Sequence, residues 1–166
     1  MEKSSVEAII RALNEAGVRY LIVGGLAVVA HGYLRFTADV DLIVDLHEDN
    51  LRRALAALQS LGYHPRLPVP IEQLLDADTR TRWIREKGMK VFSLISPQHQ
   101  RTDVDLFVDD PIGFERAYAD SIRVEVAPNV DGVFVALDDL FILKTQASRP
   151  RDLEDINQLR KLREQP

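Results

Sequence analysis

The chain has 166 residues, of which 46% are hydrophobic and 28% charged, the make-up of an ordinary water-soluble globular protein large enough for one real core. A formal charge of −5 argues against gripping nucleic acid through overall charge, although it leaves room for a local basic patch. Cysteine is absent, which excludes disulfides and thiolate metal sites, and no apolar run approaches the roughly 18 residues of a membrane span. The opening MEKSSVEAIIRAL is amphipathic and carries acidic residues, unlike a signal or transit peptide, so the expected setting is the cytoplasm.

In chain order, Ser4 or Ser5 is the expected cap of a first helix, with Ile9, Ile10 and Leu13 on its apolar stripe and Gly17 just past its end. Residues 20–23 read as a strand that stops at Gly24-Gly25, a pair suited to a tight turn and close backbone approach. Residues 26–30 suit a short buried helix, broken at His31-Gly32, and 39–44 (DVDLIV) read as a second strand. A polar turn over 45–49 leads into a helix over about 50–61, with Leu51, Leu55 and Leu58 at helical spacing.

Three prolines within 64–70 predict an extended segment, and 71–78 could form a helix. Residues 79–87 gather Arg80, Arg82, Arg85 and Lys87 around Trp83. That cluster reads either as a phosphate- or base-contacting surface or as a solvated helix face, and the second is the more ordinary. Strands are expected over 91–95 and 103–108, joined as a hairpin. Pro111 suits the first position of a helix through about 118. Residues 122–126 alternate as a strand that 132–136 continues after a turn. Asp138 then caps a helix over 139–147, and 152–164 form the last one. The expected fold class is α+β. One domain spans 1–166, with a core over about 18–136 built on a small mixed β-sheet of about five strands flanked by helices. Helices over about 138–164 make a helical C-terminal end.

The chemistry sits in repeated carboxylates. DVDLIVD (39–45) is echoed by DVDLFVD (103–109), and unmatched flanks argue for two neighbouring strands rather than a duplicated domain. Side chains alternate along a strand, so Asp39 and Asp41 share a face, about 7 Å apart at the backbone. Such carboxylates raise each other's pKa unless a cation lies between them. Asp in an apolar strand is unfavourable, and here it occurs four times in two strands. Asp39, Asp41 and Asp105, with Asp103 competing for the third place, form a hard oxygen set suited to Mg2+ or Mn2+. Two such ions roughly 3.5–4 Å apart serve phosphoryl transfer. Arg35 and Thr37 precede the pair at alternate positions and, in an extended chain, face the same way. Each reads equally as a phosphate contact or as something plainer, a neutralising charge or a β-former. Gly24-Gly25, between strand and helix, suits an anion such as a triphosphate but is weak evidence alone. Lys144, Asp152 and Asp155 read on their own as helix-end charges that complement the dipole. The four histidines show no metal-ligand spacing, and Ser93 and Ser96 have no visible base.

Gly24-Gly25, then Arg35-x-Thr37-x-Asp39-x-Asp41, then Val104-Asp105-Leu106, resembles the nucleotidyltransferase superfamily of DNA polymerase β type. The ending Leu143-Lys144-Thr145-x-Ala147-x-Arg149-x-Arg151-Asp152-x-x-Asp155 is similar to the later motif of a small bacterial branch that includes AbiEii-type toxins. The resemblance implies a nucleotidyltransferase fold and transfer of a nucleoside monophosphate from a nucleoside triphosphate, with ATP among the candidates, to an acceptor. It implies Asp39, Asp41 and Asp105 as catalytic metal ligands, the last also helping to deprotonate the acceptor. Gly24, Gly25, Arg35, Thr37, Lys144 and Asp152 are implied in nucleotide binding, and Asp152 or Asp155 is placed near the active site. The acceptor is an RNA, a protein or a small molecule, and a toxin–antitoxin setting implies a cognate antitoxin protein. Two rivals stand beside this: a small lincosamide- or aminoglycoside-type adenylyltransferase, and a non-catalytic nucleotide- or partner-binding module of the same fold.

Overall fold

The computed structural model describes residues 1–164. Its strands are β1 (Tyr20–Val23), β2 (Asp39–Val44), β3 (His64–Pro65), β4 (Val91–Ile95), β5 (Asp103–Phe107), β6 (Ile122–Ala127) and β7 (Val130–Phe134). They form one mixed sheet in the order β3-β4-β5-β2-β1-β7-β6. The pairs β2–β5 and β1–β7 are parallel and the others antiparallel. The helices are α1 (Lys3–Glu15), α2 (Gly24–Ala30), α3 (Glu48–Ser60), α4 (Ala77–Lys87), α5 (Phe114–Ala119), α6 (Leu137–Ala147) and α7 (Pro150–Glu164), with a short 3-10 turn at Ile71–Leu75.

Seven strands replace the expected five. The β6–β7 hairpin turns at Asn129, whose φ is +61°, so what reads as one continued strand is two. At the far edge, β3 is only two residues long, and the prolines after it keep that edge short. The expected hairpin of β4 and β5 forms, and the two acidic strands lie side by side.

Alternation explains the packing. On β2, β4 and β5 the residues Val40, Leu42, Phe92, Leu94, Val104 and Leu106 are buried at alternate positions. They join Ile9, Ile10 and Leu13 of α1 and Leu51, Leu55 and Leu58 of α3 in the core. On the opposite face, Asp39, Asp41, Ser93, Asp103 and Asp105 are half-buried, while Ile43 is fully buried.

Several expected helix starts move. Neither Ser4 nor Ser5 caps α1: Glu2 precedes the helix without a side-chain cap, and buried Ser5 pairs with the His99 ring at 2.9 Å. Pro111 does not open α5. The Asp110 carboxylate instead accepts the amides of Ile112, Gly113 and Phe114, and the helix begins at Phe114. Asp138 lies inside α6, whose uncapped start is at Leu137, and pairs with Arg163 at 3.0 Å. The helix after the prolines starts at Ala77, capped by Asp76 accepting the Thr79 amide. No helix among the described residues is long and apolar enough to cross a membrane.

Candidate active site

Strands β2 and β5 run in register with Asp39 beside Asp103 and Asp41 beside Asp105. Neighbouring residues in a sheet point to the same face, so four carboxylates make one patch there. Their surroundings then separate them. Asp39, Asp41 and Asp105 line a cleft of about 480 Å³. Asp103 lies outside that lining and is ion-paired to Arg66, which follows β3. Of the two candidates for the third place, Asp105 therefore faces the cleft. Among the described residues, no three acidic or histidine side chains already converge as a ready ligand set.

The field at this patch is strongly negative. Burial, reinforced by Asp105 and Asp39, pushes the Asp41 carboxyl up to about 6, while Lys144 and the Gly25 amide pull the other way. Burial and the charges of Asp105 and Asp103 also raise Asp39, with Arg66 opposing. Asp105 accepts a hydrogen bond from the Ser93 hydroxyl at 2.6 Å.

Gly24 and Gly25 sit at the entrance to α2, where space is the deciding factor. The helix begins at Gly24 itself, whose φ is +64°, rather than after the glycine pair. A Cβ on Gly24 would lie 1.9 Å from Asp41 Oδ2, and one on Gly25 would lie 2.4 Å from Thr37 Oγ1 and 3.0 Å from Arg35 Nη2. The pair lets the site's own side chains approach the backbone, a role the sequence reading gave only to a ligand.

Arg35 and Thr37 line the cleft with Asp39 and Asp41, as their alternate spacing predicts. Arg35 reaches across to α7: its Nη2 donates to Asp155 Oδ2 at 3.0 Å, and Nε lies 2.8 Å from Oδ1 in an ion contact without hydrogen-bond alignment. Lys144 on α6 is buried and donates to Asp152 Oδ1 at 2.9 Å and Asp155 Oδ2 at 2.8 Å. Asp155, with no exposed surface, thus ties the segment before β2 to both C-terminal helices. These are not simple helix-end charges. They form one buried network against the wall of the cleft, close enough to Asp41 for Lys144 to act on its ionisation.

The cleft also holds residues to which sequence reasoning gave no role. Exposed Lys90, Arg149 and Arg151 line it, and Arg151 donates to the Phe36 carbonyl. Ser93 does have an acidic partner, in Asp105, directly opposite it in the β4–β5 register. Cross-strand register was the missing signal: Ser93 falls on the same alternate positions of its strand as Asp105 does of the next.

The Arg80–Lys87 cluster divides. Trp83 is buried and stacked on Phe92, 5.4 Å between centroids, so it offers no face to a base. Arg80 is buried and donates to the carbonyls of Leu74 and Leu75. Arg82, Arg85 and Lys87 are exposed, which fits the solvated-face reading.

At the other end of β2 lies a second polar knot. Buried Asp45 accepts from Arg19 Nη1 at 2.6 Å and from the His47 ring at 2.5 Å. Burial pushes its carboxyl up, but the His47 amide and ring together with Arg19 outweigh that and hold it below its ordinary value.

A search of curated proteins finds no match to the chain. A family model described as "Nucleotidyltransferase of unknown function (DUF6036)" matches residues 4–164, taking in β2, β5 and the Lys144–Asp155 network. The match extends over nearly all of the sequence, and the chain belongs to this nucleotidyltransferase family.

Proposed function

We propose that the chain moves a nucleoside monophosphate from a nucleoside triphosphate to an acceptor hydroxyl or amine, with release of pyrophosphate. The observation that carries this reading is the cleft-facing set of Asp39, Asp41 and Asp105 on adjacent parallel strands. The set fits a divalent cation: its donors are all carboxylate oxygens, and burial together with the neighbouring carboxylates raises both Asp39 and Asp41, a cost a cation relieves. Asp39, Asp41 and Asp105 would hold Mg2+ or Mn2+. Bound there, the metal would supply charge stabilisation at the transferring phosphorus.

The chain's own residues do the rest. Gly24 and Gly25 let Asp41, Thr37 and Arg35 close on the entrance to α2, so a triphosphate at this end of the cleft would meet the glycine backbone and these side chains together. Arg35, Thr37 and Lys144 form the wall behind it, and the Asp152–Asp155 pair holds the two cations in place. Exposed Lys90, Arg149 and Arg151 line the same cleft and add positive charge that favours phosphate oxygens there. Asp105 takes the proton from the attacking group of the acceptor.

The acceptor is an RNA, a protein or a small molecule, and a toxin of this kind would be silenced by a cognate antitoxin. The test is incubation with Mg2+ and each α-labelled triphosphate, offering pooled tRNA, a protein extract and cationic antibiotics in separate reactions. Label entering one pool with wild type but not with Asp39→Asn/Asp41→Asn identifies the acceptor class. Label entering no pool, with triphosphate bound in the presence of metal, would instead favour a non-catalytic binding module.

A further inference from the structure

We propose that Ser93 is a positioning residue for the cation site, its hydroxyl fixing one oxygen of Asp105 so that the other faces the ion. The inference rests on the reading of Asp39, Asp41 and Asp105 as metal ligands and concerns how that set is kept aimed.

Ser93 and Asp105 stand directly opposite each other on antiparallel strands β4 and β5. In that register their side chains share a face, and Ser93 Oγ donates to Asp105 Oδ1 at 2.6 Å, within the range of a strong hydroxyl–carboxylate bond. Ser93 is not among the cleft-lining residues, whereas Asp105 is. The serine therefore lies behind the carboxylate and leaves the second oxygen, Oδ2, for the cleft. Its backbone is pinned from the other side as well, because its carbonyl accepts the Arg66 amide at 2.9 Å.

This matters because the terminal torsion of an aspartate is broad and nearly two-fold, so an unsupported carboxylate does not present one oxygen in one direction. Outer-shell partners of this kind set the orientation of a ligand, and removing one commonly weakens metal binding by about 10–100-fold.

The experiment is Mn2+ titration of the full chain without nucleotide, followed by electron paramagnetic resonance, beside the metal-free melting temperature of each variant. Ser93→Ala is expected to weaken Mn2+ binding by about tenfold or more with little change in metal-free melting, and Ser93→Thr, which keeps the hydroxyl, to restore it. A role confined to packing would move the melting temperature and leave the affinity alone. Ser93→Ala with wild-type affinity overturns the inference, as does equal weakening by Ser93→Thr. If Ser93→Ala does not fold, Ser93→Cys takes its place with the same expectation. Wild type that binds no Mn2+ would instead remove the metal-site reading itself. Binding that is lost in Asp41→Asn but unchanged in Ser93→Ala would remove only the role of Ser93.

Discussion

The carboxylate of Asp41 fills the space that a side chain on Gly24 would need: a Cβ there would lie 1.9 Å from Asp41 Oδ2. The two residues come from neighbouring antiparallel strands and their junction, since Val23 pairs with Asp41 in the sheet. The turn and the acidic strand are therefore one unit, and a change in either is felt by the other.

Gly24→Ala is the direct test of that coupling. The substitution meets both a left-handed backbone and a clash with the half-buried Asp41 carboxylate, and should cost on the order of 3 kcal/mol. Urea unfolding of the metal-free protein measures it. Gly17→Ala is the control: it has a similar φ of +63° but open space around the new Cβ, so it should cost only about 1 kcal/mol.

Asp41 also predicts a pH dependence. Its carboxyl is raised from 3.8 to about 6, so the folded state binds its proton more tightly than the unfolded state. Stability from this group is therefore full below about 3.8 and is lost as pH rises toward about 6. The shift corresponds to at most about 3 kcal/mol. Asp41→Asn should stabilise the metal-free protein at pH 7 by up to that amount and flatten its stability between these pH values. Added Mg2+ should stabilise wild type at pH 7 and leave Asp41→Asn nearly unchanged in thermal melts.

Asp155 anchors the C-terminal helices to the cleft. Asp155→Ala leaves Arg35 without its carboxylate partner and strips one of two from buried Lys144. Breaking a buried ion pair costs about 3–5 kcal/mol, and a loss of that order is expected in chemical unfolding. Leu153→Ala, on an exposed position of the same helix, should change little.

At the far end of β2, hydrogen bonding and charge from Asp45 raise the pKa of His47. A raised histidine stabilises the fold fully below its ordinary 6.5 and loses that contribution as pH rises through its folded value. His47→Gln should therefore remove a component of stability seen at pH 6 and absent well above pH 7. Paired melts of wild type and variant at the two pH values read it.

How far the sequence discloses this molecule depends on what kind of signal each part leaves. Asp39 to Val44 and Asp103 to Phe107 alternate acid with aliphatic residues, and that period marks both strands and the shared face of their carboxylates. Which of Asp103 and Asp105 faces the cleft depends on Arg66, nearly 40 positions away, and no local pattern carries it. The Ser93–Asp105 bond is hidden for the same reason, being a matter of register between strands. Lys144 and Asp155 look like surface helix charges because their burial arises only when α6 and α7 close on Arg35. Strand β3 has two residues, too few for any period to show. Pro111 is a plausible helix start by composition, but Asp110 binds the next three free amides and moves the start to Phe114.

The most direct measurement of the central claim is pyrophosphate release from each nucleoside triphosphate in Mg2+, with acceptor pools present, by wild type and by Asp39→Asn, Asp41→Asn and Asp105→Asn. The account predicts metal-dependent release by wild type and a loss on the order of 100-fold or more in each variant. Release that persists undiminished in the variants, or that wild type never shows with any triphosphate and pool, would contradict it.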